Sequence, residues 1–386
     1  MEYVCMKNQY TILTGSKNNA GDFLIKYRAK ELFRILRPDR KIVDFNAWEN
    51  FDKEKLEIVN ESRALILVGG PSLQKNMRPN IYKMTKKLDD ISVPIISMGI
   101  GWKSISGNWE DTYKYPLNNE SIELLDRINN SGYLSSVRDY HTLNSIQFKG
   151  FENFLMTGCP AYYDLEHIGK ECKKHNIRKI AFSLGVSFIH SLSMEKMMKE
   201  NILECKKIFQ NEEFEVVFHH SLDENKFLST HGATSIHVYK HNEFAKWLDE
   251  QNIKYVDISG SAENLMNYYN NIDLHIGYRV HAHIFMNSIS KFSILISEDG
   301  RAKATKEVIG GIVLDGFINF RNNFFSKVLN RLLSNYDKFK VNKYLTKEII
   351  SNIEYEKKVN FIRIKNSRNQ INNNFEVMKQ FVGQLP

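Results

Sequence analysis

At 386 residues the chain is longer than the ~250–300 at which single hydrophobic cores stop growing, so two domains are expected. Its 42% hydrophobic and 25% charged residues describe a globular protein, and no apolar run approaches the ~20 residues with which a helix crosses a bilayer. The net charge of +8 favours anionic partners but comes with no nucleic-acid-reading module, and the four cysteines, Cys5, Cys159, Cys172 and Cys205, form no C-x-x-C pair, which argues for reduced thiols and against a disulfide framework or zinc ribbon.

The start, Met1 to Tyr10, lacks the basic, apolar and small-residue regions of a signal peptide, so a cytoplasmic protein is expected. Short β-like runs then alternate with helix-length segments. Strands are predicted at Tyr10 to Thr14, Lys41 to Phe45, Ala64 to Gly69, Pro94 to Met98 and Tyr133 to Val137, with helices at Phe23 to Leu36, Asn80 to Leu88, Asn119 to Asn129 and Tyr140 to Phe148. The alternation restarts with strands at Ile180 to Leu184, Phe214 to Phe218, Lys254 to Ile258, Ile272 to Ile276 and Phe292 to Ile296. Alternating βαβ units imply parallel sheets, and the break falls in the polar stretch Lys170 to Arg178.

The expected fold class is therefore α/β, two doubly wound Rossmann-like domains facing across a cleft: 1–175, 176–336, and a basic helical region 337–386. From Phe320 onward the pattern reads as helical and polar, with Leu345, Ile349, Ile350 and Ile353 on one face. The last region carries ten Lys/Arg against five Asp/Glu, +5 of the net charge, which suits either a helix packed across both domains or a surface that meets anionic lipid.

The motifs sit where strands end. Asn18-Asn19-Ala20-Gly21-Asp22 links the first strand to the first helix, with Asp22 as an N-cap, an acceptor-binding residue or a catalytic one; it is neither a dinucleotide fingerprint nor a P-loop. Gly69-Gly70 and Gly99-Ile100-Gly101 end the next two strands, leaving bare backbone at Gly70 and Gly101 that can approach a sugar or phosphate. Arg138-Asp139 ends another, and Cys159 in Thr-Gly-Cys-Pro has no evident base partner. Gly277-Tyr278-Arg279-Val280-His281-Ala282-His283 hands a strand to a helix, where Arg279 suggests an anionic ligand. His281 and His283 are two positions apart, so one at most faces the cleft, and His281 is favoured; no metal ligand set is expected. Glu298-Asp299-Gly300-Arg301 adds a carboxylate and a guanidinium to the same edge.

The order of Asn19-Ala-Gly-Asp-Phe-Leu-Ile25, Gly69-Gly70, Ser136-Val-Arg-Asp139, Thr157-Gly-Cys-Pro160 and Gly277-x-Arg279-x-His281-Ala282 resembles the polysaccharide pyruvyl transferases. The resemblance implies a GT-B-like fold and transfer of pyruvate from phosphoenolpyruvate, a co-substrate needing no cofactor, to two hydroxyls of a sugar, forming a cyclic ketal on an exopolysaccharide, capsule or cell-wall precursor. The first domain would face the sugar acceptor, free or lipid-linked, through Asp22, Gly70 and Gly101. The second would face the donor, held by Arg138, Arg279, His281 and Arg301, with His281, Arg279 and Asp139 catalytic. Where the family carries a tyrosine or serine followed by lysine, this chain has Glu298 to Arg301, with Lys303 and Lys306 beyond. Phosphoenolpyruvate carries a phosphate and a carboxylate, both of which guanidinium groups bind as forks, and ketal formation needs proton transfers that His281, Asp139, Asp22 or Glu298 could make. A nucleotide-sugar glycosyltransferase and a catalytically silent carbohydrate-binding protein are the alternatives. A lipid-linked acceptor would bring the enzyme to the inner face of the membrane, by peripheral contact through the basic tail.

Overall fold

The computed structural model describes residues 8–172, 176–230, 232–320 and 339–386. In the first half, β1 (Gln9–Thr14), β2 (Lys41–Asn46), β3 (Leu65–Val68) and β4 (Ile95–Met98) form a parallel sheet in the order β2-β1-β3-β4. β5 (Ser135–Val137) and β6 (Phe154–Met156) extend it beyond β4, since Gly99 N donates to Ser136 O at 3.0 Å and Ile100 bridges to Val137. β3 reads Leu-Ile-Leu-Val with every residue buried, as expected where elements cover both faces of a parallel sheet.

β7 (Lys179–Ser183), β8 (Glu213–Phe218), β9 (Tyr255–Asp257), β10 (Leu274–Gly277), β11 (Phe292–Ser297) and β12 (Ile312–Asp315) form a second parallel sheet in the order β12-β11-β10-β7-β8-β9. Each sheet reverses its winding at one place, between β1 and β3 in the first and between β7 and β10 in the second. Ligands of open α/β sheets bind in the crevice outside the carboxyl ends of the strands at such a reversal. The polar stretch around Lys170 to Arg178 lies between the two sheets, with 173–175 outside the described residues.

The first helix, Ala20–Leu36, starts at Asn19, whose side chain accepts from Gly21 N, and stops before Pro38. Its buried residues Ala20, Leu24, Arg28 and Leu32 recur every four positions and form the stripe that faces the core. The last helix, Ile362–Gly383, packs against the helices Ala20–Leu36, Val280–Ser288 and Gly300–Ile309, so it ties the two halves together. Its apolar residues Ile364, Ile371, Phe375, Met378 and Phe381 are buried, and Arg368 is internal, donating to Asn287 O at 3.0 Å and Ser290 Oγ at 2.9 Å. Tyr10 Oη donates to Pro386 O at 2.6 Å and Arg37 Nη1 to Leu385 O at 2.7 Å, which fastens the chain end to the first sheet.

Two expectations need correction. Asn80 to Leu88 is not an α-helix: the buried Arg78 donates to the carbonyls of Thr85 (3.0 Å) and Lys86 (2.6 Å), so the segment curls around a guanidinium and spends its carbonyls there. The stretch from Phe320 is not helical throughout, because β13 (Phe317–Phe320) and β14 (Phe339–Val341) pair antiparallel, with the rings of Phe317 and Phe339 5.0 Å apart; 321–338 lie outside the described residues. Helices Leu345–Lys358 and Ile362–Gly383 follow, and Leu345, Ile349 and Ile353 are the buried face of the first.

Candidate active site

The reversal in the first sheet opens into a cavity of about 220 Å³. Thr14, Gly15, Asn19 and Asp22 reach it from the end of β1, Gly69 and Gly70 from the end of β3, and Trp48 forms a wall. Gly69 (φ 56°) and Gly70 (φ 73°) adopt left-handed backbone, and no atom stands within 4 Å of where a Gly70 side chain would begin, so backbone lines the cavity there. His220 and Arg301 close it from the second domain.

The reversal in the second sheet sets the cations. At Gly277 (φ 144°) a Cβ would lie 2.4 Å from Ser183 O, so only glycine lets β10 turn against β7 here. The turn is pinned by Arg279 N donating to Ser183 Oγ at 3.1 Å, while Ser183 Oγ also contacts His275 Nε2 at 2.8 Å. Arg279 is the N-cap of helix Val280–Ser288, and its Nη2 lies 3.2 Å from His220 Nδ1. His283 turns inward to Ser293 Oγ at 2.8 Å, whereas His281 points at the first domain: a Cβ on Gly21 would lie 2.3 Å from its Nδ1. From the first domain comes Arg138, for which Gly101 leaves room, since a Cβ there would stand 1.9 Å from Arg138 Nε.

Arg138, Arg279 and His281 are 7%, 9% and 9% exposed, and Arg138 Nη2, Arg279 Nε and His281 Nε2 are buried without a hydrogen-bond partner among the described residues. Unpaired buried polar groups are costly, so three of them, one from the first domain and two from a single turn of the second, mark a place suited to a ligand. Arg301 differs: Asp299 takes its Nε at 2.8 Å and Nη2 at 2.6 Å, an ion pair about a quarter exposed.

The charges act on one another. Burial, reinforced by Arg138, Arg301 and Arg279, pushes the His281 pKa down to about 3, so the imidazole is neutral at pH 7. Burial raises Asp22 to about 6 against the opposing pull of Arg301, the Asn19 hydrogen bond, Arg138 and Arg279. Burial likewise lowers Arg279 to about 10 and raises the Cys159 thiol to about 11, which leaves Cys159 protonated.

The carboxylates now separate by surroundings. Asp139 caps helix Tyr140–Gln147, accepting from Thr142 N and Thr142 Oγ1 at 2.7 Å each, and its other oxygen meets Arg138 Nε at 3.4 Å. Glu298 accepts the backbone N–H groups of Val186 (2.8 Å) and Ser187 (2.9 Å), so it holds the loop after β7. Asp22 alone of these stands in the cavity wall. Gly101 lies behind Arg138 and does not line the cavity. Sequence reasoning passed over Trp48, which only the fold brings near β1, and His220, although two histidines directly after β8 were a positional signal. Among the described residues, no group of three or more His, Cys, Asp or Glu is arranged to hold a metal ion.

A family model described as polysaccharide pyruvyl transferase matches residues 19–285, from the N-cap of the first helix through the Arg279–His281 turn. The fold is GT-B-like. A UDP-GlcNAc 2-epimerase from Neisseria meningitidis bound to UDP-GlcNAc superposes with a TM-score of 0.50 at 9% identity, covering 97% of this chain and 99% of that one. The Methanocaldococcus jannaschii UDP-GlcNAc 2-epimerase, in complex with UDP-GlcNAc and UDP, gives 0.46 at 14% identity, covering 90% and 99%. No curated protein sequence matches the chain.

Proposed function

Because the chain belongs to the polysaccharide pyruvyl transferase family, we propose that it moves pyruvate from phosphoenolpyruvate onto two hydroxyls of one sugar in a polysaccharide or cell-wall precursor, closing a cyclic ketal. The observation that carries this reading is that Arg138, Arg279 and His281, each with a buried nitrogen that has no hydrogen-bond partner among the described residues, are close enough for the two arginines to act on His281 and on Asp22, and Asp22 lines a cavity with Gly70 and Trp48 that the other three stand behind. A donor with a phosphate and a carboxylate offers each planar guanidinium a pair of oxygens. The cavity offers a sugar an aromatic wall at Trp48, bare backbone and a carboxylate.

In this mechanism one hydroxyl adds to C2 of the enol phosphate while C3 takes a proton, and the second hydroxyl then displaces phosphate from C2. One donor and one diol give one ketal and one phosphate; one hydroxyl proton ends on the new methyl group and the other leaves with the phosphate. Asp22, with its pKa near 6, is assigned as the acid for C3, since a bound anion offsets the arginine charges and favours its protonated form. His281 accepts a hydroxyl proton through Nε2 once the bound anion offsets the arginine charges that, with burial, hold its pKa down. Asp139 serves by holding Arg138, and Arg301 by adding positive charge beside the phosphate.

No helix of the described residues is long and apolar enough to cross a membrane. The reading places the reaction in the cytoplasm, and with a lipid-linked acceptor at the inner face of the membrane. The apolar side of the last helix is committed to the core, so contact with anionic lipid there would rest on surface charge.

The test is mass spectrometry of lipid-linked and nitrophenyl glycosides incubated with donors. Phosphate release with a gain of pyruvate minus water is expected with phosphoenolpyruvate. Release of a nucleoside diphosphate from a nucleotide sugar would overturn the proposal, and so would no turnover with any donor.

A further inference from the structure

A second groove, of about 380 Å³, lies between the halves on the far side of the contact where Gly300 N donates to Ser104 O at 2.9 Å and Gly107 packs on Gly300. Trp109 and His141 line it from the first domain, Lys303, Lys306 and Glu307 from the second. The loop that reaches it starts at Lys103, which lines the main cavity, and the helix that floors it starts beside Arg301, which does too.

Three features describe what the groove takes. Trp109 is 42% exposed, yet one face of its indole is stacked on His141 at 3.9 Å and 20°, and His141 is stacked on Trp102 at 5.0 Å and 17°. The stack fixes Trp109 and leaves its other side open, so little conformational freedom is lost when something flat and apolar lies on it. His141 is only 2% exposed, and its Nδ1 has no partner among the described residues although the ring lines the groove. Among the described residues Lys303 and Lys306 form no ion pair, and Glu110, Glu307 and Asp315 share the lining with them. Three carboxylates against two ammonium groups disfavour a phosphate or a free carboxylate. A neutral ring with a C–H face and hydroxyls that both donate and accept suits the open indole, the ammonium groups and the carboxylates together.

We infer that this groove is a second saccharide subsite, stacking on Trp109 a sugar unit of the acceptor chain remote from the unit that reacts. The inference rests on the proposed function for the word acceptor, but its test needs no turnover. A saccharide held there touches both domains, so chain length is read as domain contact.

Binding of defined bacterial polysaccharide fragments and of the matching single-sugar methyl glycosides is measured by calorimetry without donor, for the wild type, Trp109→Ala and Lys306→Ala. The wild type should bind at least one tetrasaccharide or longer fragment about tenfold more tightly than its single-sugar glycoside, the loss expected for removing one buried aromatic anchor. Trp109→Ala should erase that difference with the single-sugar affinity unchanged, and Lys306→Ala should reduce it, both with wild-type thermal melts. The inference is overturned if the wild type binds no fragment better than the single sugar, if folded Trp109→Ala keeps the full difference, or if it weakens both ligands alike. Were phosphoenolpyruvate never turned over while this pattern held, the proposed function would fail and the subsite would stand.

Discussion

His281 occupies the space that a side chain on Gly21 would need: a Cβ at Gly21 would lie 2.3 Å from His281 Nδ1 and 2.8 Å from its Cγ. The first turn of one domain's helix and the imidazole of the other domain are thus fitted to each other. Gly21→Ala should cost about 10²-fold in kcat/KM, the order of loss that follows a small misplacement of a reacting group. Helix propensity alone favours alanine by about 1 kcal/mol, so an unchanged or higher Tm with wild-type kinetics would show that His281 is not positioned by this contact.

Arg279 and His281 should fail in different ways. Arg279→Lys keeps a charge but loses the fork, and it should raise the KM for phosphoenolpyruvate while lowering kcat. His281→Ala should act chiefly on kcat. Steady-state kinetics on the folded variants check both, and near-wild-type turnover in Arg279→Lys would remove the turn from the chemistry.

Asp22 should impose a limb near pH 6 on kcat/KM, which Asp22→Asn abolishes together with most activity. Its effect on stability has the opposite sense to an ordinary paired carboxylate. A pKa raised from 3.8 to about 6 means that the folded state favours the protonated form, so the contribution is present below pH 3.8 and lost as pH rises to about 6. Asp22→Asn should therefore stabilise the protein by roughly 1–2 kcal/mol at pH 7.5 and not at pH 3.5, allowing for its partial exposure to the cavity. Urea unfolding at the two pH values reads the difference.

Buried histidines give an acid weakness. His241, His281 and His283 are each held near a pKa of 3, chiefly by burial, so the folded chain keeps them neutral while the unfolded chain protonates them below about 6.5. Stability should fall as pH drops from 6.5 toward 3, by on the order of 1 kcal/mol per histidine between pH 7.5 and 5.5. Bound phosphoenolpyruvate, whose charge offsets the arginines around His281, should weaken that dependence, and melts with and without donor measure it. Pyruvate alone should give no shift.

The alternation of apolar runs and helix-length segments settled the α/β class and the parallel sheets, because strand and helix periodicities are local properties of the chain. The Arg279–His281 turn was legible for the same reason, as a cation and an imidazole at the end of a buried strand fall at the ligand-binding edge of any such sheet. Tertiary structure alone decided the rest. Asp139, Glu298 and Asp22 were equivalent carboxylates in the sequence, and only their neighbours make the first a helix cap, the second a loop anchor and the third a cavity wall. Asn80 to Leu88 has helical length, yet a buried guanidinium drew off its carbonyls. His220, Trp48 and the Gly21–His281 fit join positions far apart in the chain, and such contacts exist only once both sheets have closed on one another.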